Sequence, residues 1–121
     1  MSKRILVVED QEDNRRIVRD LLTSVGYEVV EAVSGEDGVR MAETQAPDLI
    51  LMDIQLPGLD GYEATRCIKA NAALRHLPII AVTSYALSGD DARAFEAGCD
   101  AYVSKPYSPR ALLAKIREFL P

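Results

Sequence analysis

Asp48-Leu49-Ile50-Leu51-Met52-Asp53 decides how this chain folds. Four consecutive apolar residues of strand length fit a strand covered on both faces, as at the centre of a parallel sheet. The predicted strand is Asp48–Met52, and a carboxylate, Asp53, follows it directly. The loop Ile54-Gln55-Leu56-Pro57-Gly58-Leu59 then leads into a helix predicted over Gly61–Ala70.

The same alternation extends in both directions. Upstream, Arg4–Val8 reads as a first strand, since Ile5, Leu6, Val7 and Val8 form another apolar run. A helix is predicted over Glu12–Val25, with Ile17, Val18, Leu21, Leu22 and Val25 forming its buried face and Gly26 its stop signal. Glu28–Ala32 is a second strand. Gly35–Thr44 is a second helix, with Ser34 as its N-cap and Pro47 closing the unit. Downstream come a strand over Pro78–Val82, a helix over Gly89–Ala97 ending before a C′ glycine at Gly98, and a short strand over Ala101–Val103. A last helix over Pro109–Leu120 is expected to bury Leu112, Leu113, Ile116, Phe119 and Leu120.

Strands alternating with helices predict an α/β fold: a five-stranded parallel sheet with right-handed crossovers and helices on both faces. The 121 residues suit one domain spanning 1–121, with no internal repeat, low-complexity tract or linker. The start Met1-Ser2-Lys3-Arg4 runs straight into the first strand without a secretory segment, which favours a full-length cytoplasmic protein. No apolar run is long enough for membrane insertion. A net charge of −5 argues against a nucleic-acid partner, which needs clustered Lys and Arg. One His and two widely spaced cysteines, Cys67 and Cys99, argue against zinc, and both cysteines read as reduced packing residues.

In open α/β sheets, ligands bind beyond the carboxyl ends of the strands. Glu9 and Asp10 follow the first strand, Asp53 the third and Thr83 the fourth, while Lys105 lies just past the fifth. Each has an ordinary reading alone: a turn former, a helix cap or a solvated charge. Their joint placement at four strand ends assembles three carboxylates, a hydroxyl and an ammonium, a set suited to a divalent cation and a phosphoryl group. Asp53 is the candidate nucleophile, forming an aspartyl phosphate. Two carboxylates about 4 Å apart repel by ~4 kcal/mol at an effective dielectric of 20, and a hard cation such as Mg²⁺ reverses that sign. Lys105 and Thr83 would serve phosphoryl oxygens, and Gln55 would offer its backbone carbonyl to the metal. The Lys105–Pro106 bond is a candidate cis peptide, because a tight turn after a strand is where such bonds are kept.

These segments resemble the receiver domain of bacterial two-component response regulators along the whole chain. The similarity rests on Ile5-Leu6-Val7-Val8-Glu9-Asp10, the segment Asp48 to Gly61, Pro78-Ile79-Ile80-Ala81-Val82-Thr83, and Gly98-Cys99-Asp100-Ala101-Tyr102-Val103-Ser104-Lys105-Pro106. The Ile-Gln-Leu-Pro loop and Gly98-Cys99 are similar to stand-alone DivK-like regulators and to hybrid-kinase receivers. The resemblance implies a CheY-like, flavodoxin-like (βα)5 fold with strand order 2-1-3-4-5. It also implies Mg²⁺-dependent phosphorylation of Asp53 by a sensor histidine kinase or histidine phosphotransfer protein. Switching would move the Thr83 hydroxyl and turn Tyr102 inward. That would change the surface of the fourth helix, fifth strand and fifth helix toward an output protein or a second copy of the chain.

The sequence departs from the family's commonest pattern at Ser84, where a small residue, usually Ala, follows the switch threonine. Gln55 and Tyr85 occupy positions that tune phosphoryl lifetime, and Tyr85 either shields the acyl phosphate or packs on the surface. Arg15, Arg16 and Arg19 in the first helix read as a solvated face or as a kinase-docking surface.

The alternative within the family is a receiver module excised from a hybrid histidine kinase. An Asp-nucleophile phosphatase or phosphotransferase of the haloacid-dehalogenase kind is the rival from another class. Such enzymes want a second Asp two residues after the nucleophile, and Gln55 there exchanges no proton near neutral pH. A flavodoxin-like electron carrier would need a phosphate cradle where Glu9-Asp10-Gln11-Glu12-Asp13 is acidic.

Overall fold

A computed structural model describes residues 2–83, 90–105 and 108–121. Ten elements alternate along it: β1 (Arg4–Val8), α1 (Glu12–Ser24), β2 (Glu28–Ala32), α2 (Gly35–Thr44), β3 (Leu49–Asp53), α3 (Gly61–Ala70), β4 (Ile79–Thr83), α4 (Asp90–Ala97), β5 (Ala101–Ser104) and α5 (Pro109–Phe119). The strands form one parallel sheet in the order β2-β1-β3-β4-β5, the expected flavodoxin-like arrangement. Every residue of β3 and β4 is buried, as the unbroken apolar runs require of strands covered on both faces.

Strand alternation divides the core in two. Leu6, Val8, Ile50, Met52, Ile79 and Ala81 point to one side, where Ala42, Ala64, Ile68, Ala94 and Ala97 from α2, α3 and α4 cover them. Ile5, Val7, Leu49, Leu51, Ile80 and Val103 point to the other, against Val18 and Leu22 of α1 and Leu112 and Ile116 of α5.

The helix ends follow local chemistry. Ser34 accepts a hydrogen bond from Asp37 N at 3.1 Å, so the expected N-cap of α2 is in place. Asp60 caps α3 through Glu63 N at 2.9 Å, and Ser108 caps α5 through Ala111 N at 3.0 Å. Gly26 and Gly98 follow α1 and α4 in the left-handed region, as stop-signal glycines do.

Several boundaries and faces differ from expectation. Asp53 belongs to β3 as its last residue, paired with Val82, and β4 runs one residue further, to Thr83. The ladder continues because Ile54 N donates to Val82 O at 3.0 Å and Lys105 N to Thr83 O at 2.7 Å. Helix α1 stops at Ser24, as Val25 leaves helical geometry before Gly26. Its face is also narrower than its periodicity implied: Val18 and Leu22 are buried, but Ile17 and Val25 are exposed. In α5 only Leu112 and Ile116 are fully buried, while Leu113, Phe119 and Leu120 pack at the margin and Leu120 falls beyond the helix. Cys99 is a buried packing residue, whereas Cys67 is exposed on the outer side of α3, so that part of the cysteine reading is corrected. Ser84, Tyr85, Gly89, Pro106 and Tyr107 lie outside the described residues. Among the described residues no helix is long and apolar enough to cross a membrane.

Candidate functional site

Parallel register builds the site. Val8 pairs with Met52, so continuing both strands by one residue sets Glu9 beside Asp53. Glu9 is held there from two sides: its N–H donates to Ala32 O at 3.1 Å, and its Oε2 accepts from Gln11 N at 3.1 Å. Asp53 Oδ1 accepts from Gln55 N at 3.0 Å, which fixes the carboxylate's rotation and leaves Oδ2 facing the site. Oxygens of Glu9, Asp10 and Asp53 lie within 4.8 Å of one another. Glu9 and Asp53 are buried, whereas Asp10 is half-buried at the rim.

Lys105 reaches into this cluster from the far edge of the sheet. Its Nζ stands 3.2 Å from Glu9 Oε1 and 3.5 Å from Asp53 Oδ2. One ammonium against three carboxylates leaves the cluster with a deficit of positive charge. Thr83 is wholly buried at the end of β4, and its carbonyl holds the Lys105 backbone. Beside the charged groups is a water-sized cavity of about 20 Å³, lined by Val7, Val18, Leu51 and Val82 together with Glu9, Asp53 and Lys105.

The donor set suits a hard divalent cation: carboxylate oxygens converging from the loop after β1 and from the end of β3, with one carboxylate rotationally fixed. Gln55 is half-buried beside Asp53, and among the described residues its buried Nε2 has no hydrogen-bond partner. Tyr102 is not part of this constellation. It is half-buried, paired with Ala81 and packed on the core side covered by α2, α3 and α4.

Residues 5–117 match the response regulator receiver domain. The chain belongs to that family. Receivers are modules of two-component signalling rather than classical enzymes, and they bind Mg²⁺ at an acidic site of this kind. The receiver is 44% identical to the polar-differentiation response regulator DivK of Brucella ovis, over 99% of this chain and 98% of the relative. Among solved structures, it is similar to the receiver domain of sensor histidine kinase PA1611 from Pseudomonas aeruginosa PAO1, which holds a magnesium ion in its active-site cleft. That match has a TM-score of 0.92 and 41% identity, and covers 99% of this chain and 98% of that one. Vibrio cholerae chemotaxis protein CheY4, 24% identical with a TM-score of 0.92, covers 98% of this chain and 99% of its own and shows the same fold.

Two residues of this receiver's site escaped the reading of the sequence. Gly61 packs against the backbone of Asp53 and Ile54: a β carbon there would collide with Asp53 O and lie 2.6 Å from Ile54 Cα. Arg15, read as a solvated or docking residue, donates from Nη1 to the carbonyls of both Glu9 and Asp10, at 2.9 and 3.1 Å. Its spacing was the available signal, because a long side chain in the first turn of α1 can reach back over the loop before the helix. Arg16 is exposed and pairs with Asp13, as a solvated face predicts.

Proposed function

We propose that this receiver accepts a phosphoryl group on Asp53 from a phosphohistidine of a sensor histidine kinase or histidine phosphotransfer protein, and that the acyl phosphate switches its protein contacts. The convergence of Asp53 Oδ2, Lys105 Nζ and the Glu9–Asp10 carboxylates on one point carries this reading. Asp53 Oδ2 attacks phosphorus, a P–O bond forms, and the P–N bond to the imidazole breaks. The departing imidazole keeps the electron pair and ends protonated in water.

Glu9, Asp10, Asp53 and the Gln55 carbonyl would hold Mg²⁺, which when bound supplies positive charge to the transferring phosphoryl oxygens. Lys105 gives up its contacts with Glu9 and Asp53 to pair with a phosphoryl oxygen. The Thr83 hydroxyl meets another, and this displacement, transmitted with the inward turn of Tyr102, alters the α4-β5-α5 surface read by an output protein or a second copy of the chain. A local charge change biasing a two-state element is the physical content of such a switch. Gln55 and, on the resemblance, Ser84 and Tyr85 set how fast water removes the phosphoryl group.

Intact-mass spectrometry after incubation with acetyl phosphate tests the chemistry. Wild type should gain one phosphoryl group with Mg²⁺ and none without it, and Asp53→Asn should gain none. An adduct that survives Asp53→Asn would overturn the assignment of the acceptor. No adduct on folded wild type, with acetyl phosphate or with a phosphorylated histidine phosphotransfer protein, would overturn the function.

A further inference from the structure

We propose that Arg15 is a positioning residue that sets how tightly the acidic pair holds a divalent cation. The inference rests on the magnesium reading above and goes beyond it, to a residue that touches neither cation nor phosphoryl group.

The guanidinium is a bridge with two ends. Nη1 donates to Glu9 O at 2.9 Å and to Asp10 O at 3.1 Å, so one nitrogen ties together the two backbone units that carry the pair. Nε lies 3.5 Å from Glu31 Oε1 on β2. Arg19 Nη1 holds the other oxygen of that carboxylate, Oε2, at 3.2 Å. The adjacent β2 residue, Ala32, accepts the Glu9 N–H. Strand β2 therefore grips the acidic loop twice, once directly and once through Arg15. The Arg15 side chain is only 15% exposed, so it is not a freely solvated arm.

Geometry and charge predict opposite effects for Arg15. As a positive charge near the site, it would repel a cation, and its removal would tighten binding. As a brace, it holds the Glu9 and Asp10 backbones where their carboxylates converge, and its removal would loosen binding. The hydrogen bonds favour the second effect. The guanidinium spends its donors on carbonyls and on Glu31, and among the described residues it makes no hydrogen bond or ion pair with the carboxylates that would meet the cation. A planar fork with several donors suits this bridge, whereas a single ammonium cannot span both ends. Residues that orient metal ligands from behind typically matter tenfold or more in affinity.

Calorimetric titration of the full chain with MgCl₂ provides the test, with thermal unfolding of each variant as a control for folding. Arg15→Lys and Arg15→Gln should both weaken binding by about tenfold. Glu31→Gln, which frees one end of the bridge without touching the acidic pair, should weaken it less and in the same direction. In phosphorylation by acetyl phosphate, the Mg²⁺ concentration giving half the maximal rate should rise while the maximal rate stays near that of wild type. A residue of merely structural importance would lower the unfolding temperature and leave that concentration alone. Unchanged affinity in Arg15→Lys, or tighter binding in Arg15→Gln, overturns the inference. If the Arg15 variants do not fold, unchanged affinity in Glu31→Gln overturns it. A wild type that binds no magnesium would instead overturn the metal reading on which the inference rests.

Discussion

Gly61, the first residue of α3, is packed onto the carbonyl of Asp53, the last residue of β3, with no room for a β carbon between them. Its N–H donates to Ile54 O at 3.1 Å, so the backbone that carries the proposed phosphoacceptor also anchors the following helix. Whatever shifts one shifts the other.

Gly61→Ala should therefore impair both stability and chemistry. Forcing a methyl group against rigid backbone costs about 1–3 kcal/mol, readable as a lower urea midpoint. The protein that still folds should take up phosphoryl from acetyl phosphate at least about tenfold more slowly, because displacing a reacting group by 1 Å can cost about a hundredfold. A variant with wild-type midpoint and wild-type rate would show that the backbone yields without consequence.

Lys105 should act on the cation in the sense opposite to Arg15. Its ammonium contacts Glu9 and Asp53 directly and so competes with a metal for their charge. Lys105→Met should tighten Mg²⁺ binding by about fivefold, corresponding to ~1 kcal/mol of relieved repulsion at a partly screened site. Phosphorylation should slow by about a hundredfold, as when one preorganised donor to a developing charge is lost. Calorimetry and timed intact-mass measurements read the two effects separately. Weaker metal binding in this variant would contradict the argument.

The two thiols should react at very different rates. Cys67 is exposed, whereas Cys99 is buried and donates to Thr65 Oγ1 at 3.7 Å. Burial pushes the Cys99 thiol upward, which keeps it from the reactive thiolate form. Iodoacetamide should add one group to the native chain within the time needed to add two in denaturant, and peptide mapping should place the first at Cys67.

Cys99 also predicts a pH dependence of stability. Its folded value is raised above the ordinary 9.0, chiefly by desolvation, so on raising the pH the unfolded chain loses this proton first. The thiol's contribution is therefore intact near neutrality. It begins to fall as pH approaches 9.0 and keeps falling until the folded thiol ionises, by up to about 1.4 kcal/mol per pH unit. Urea unfolding in reductant at pH 7 and pH 10 should show wild type losing more stability than Cys99→Ala over that interval.

The apolar runs at Ile5–Val8, Leu49–Met52 and Ile79–Val82 were legible as strands because burial on both faces leaves no polar position to confuse the pattern. The polar residues at their ends were legible as neighbours for the same reason, since parallel strands bring their carboxyl ends to one edge. Breadth of burial was harder to read. Ile17 and Val25 share the period of Val18 and Leu22, but helical spacing specifies a stripe and not how much of it the neighbouring sheet can cover.

Local composition and period were thus enough for the order of elements, the sheet class and the nearness of Glu9, Asp10, Asp53 and Lys105 to one another. The tertiary structure alone decided which oxygen of Asp53 faces the ammonium, that Cys67 is open where Cys99 is closed, and that Arg15 braces the acidic loop instead of standing in solvent. Period and burial are properties of a segment and its immediate sequence. Distances such as that from Lys105 to Glu9, 96 residues apart, depend on register, side-chain reach and the competition of neighbouring charges, which exist only once the sheet has formed.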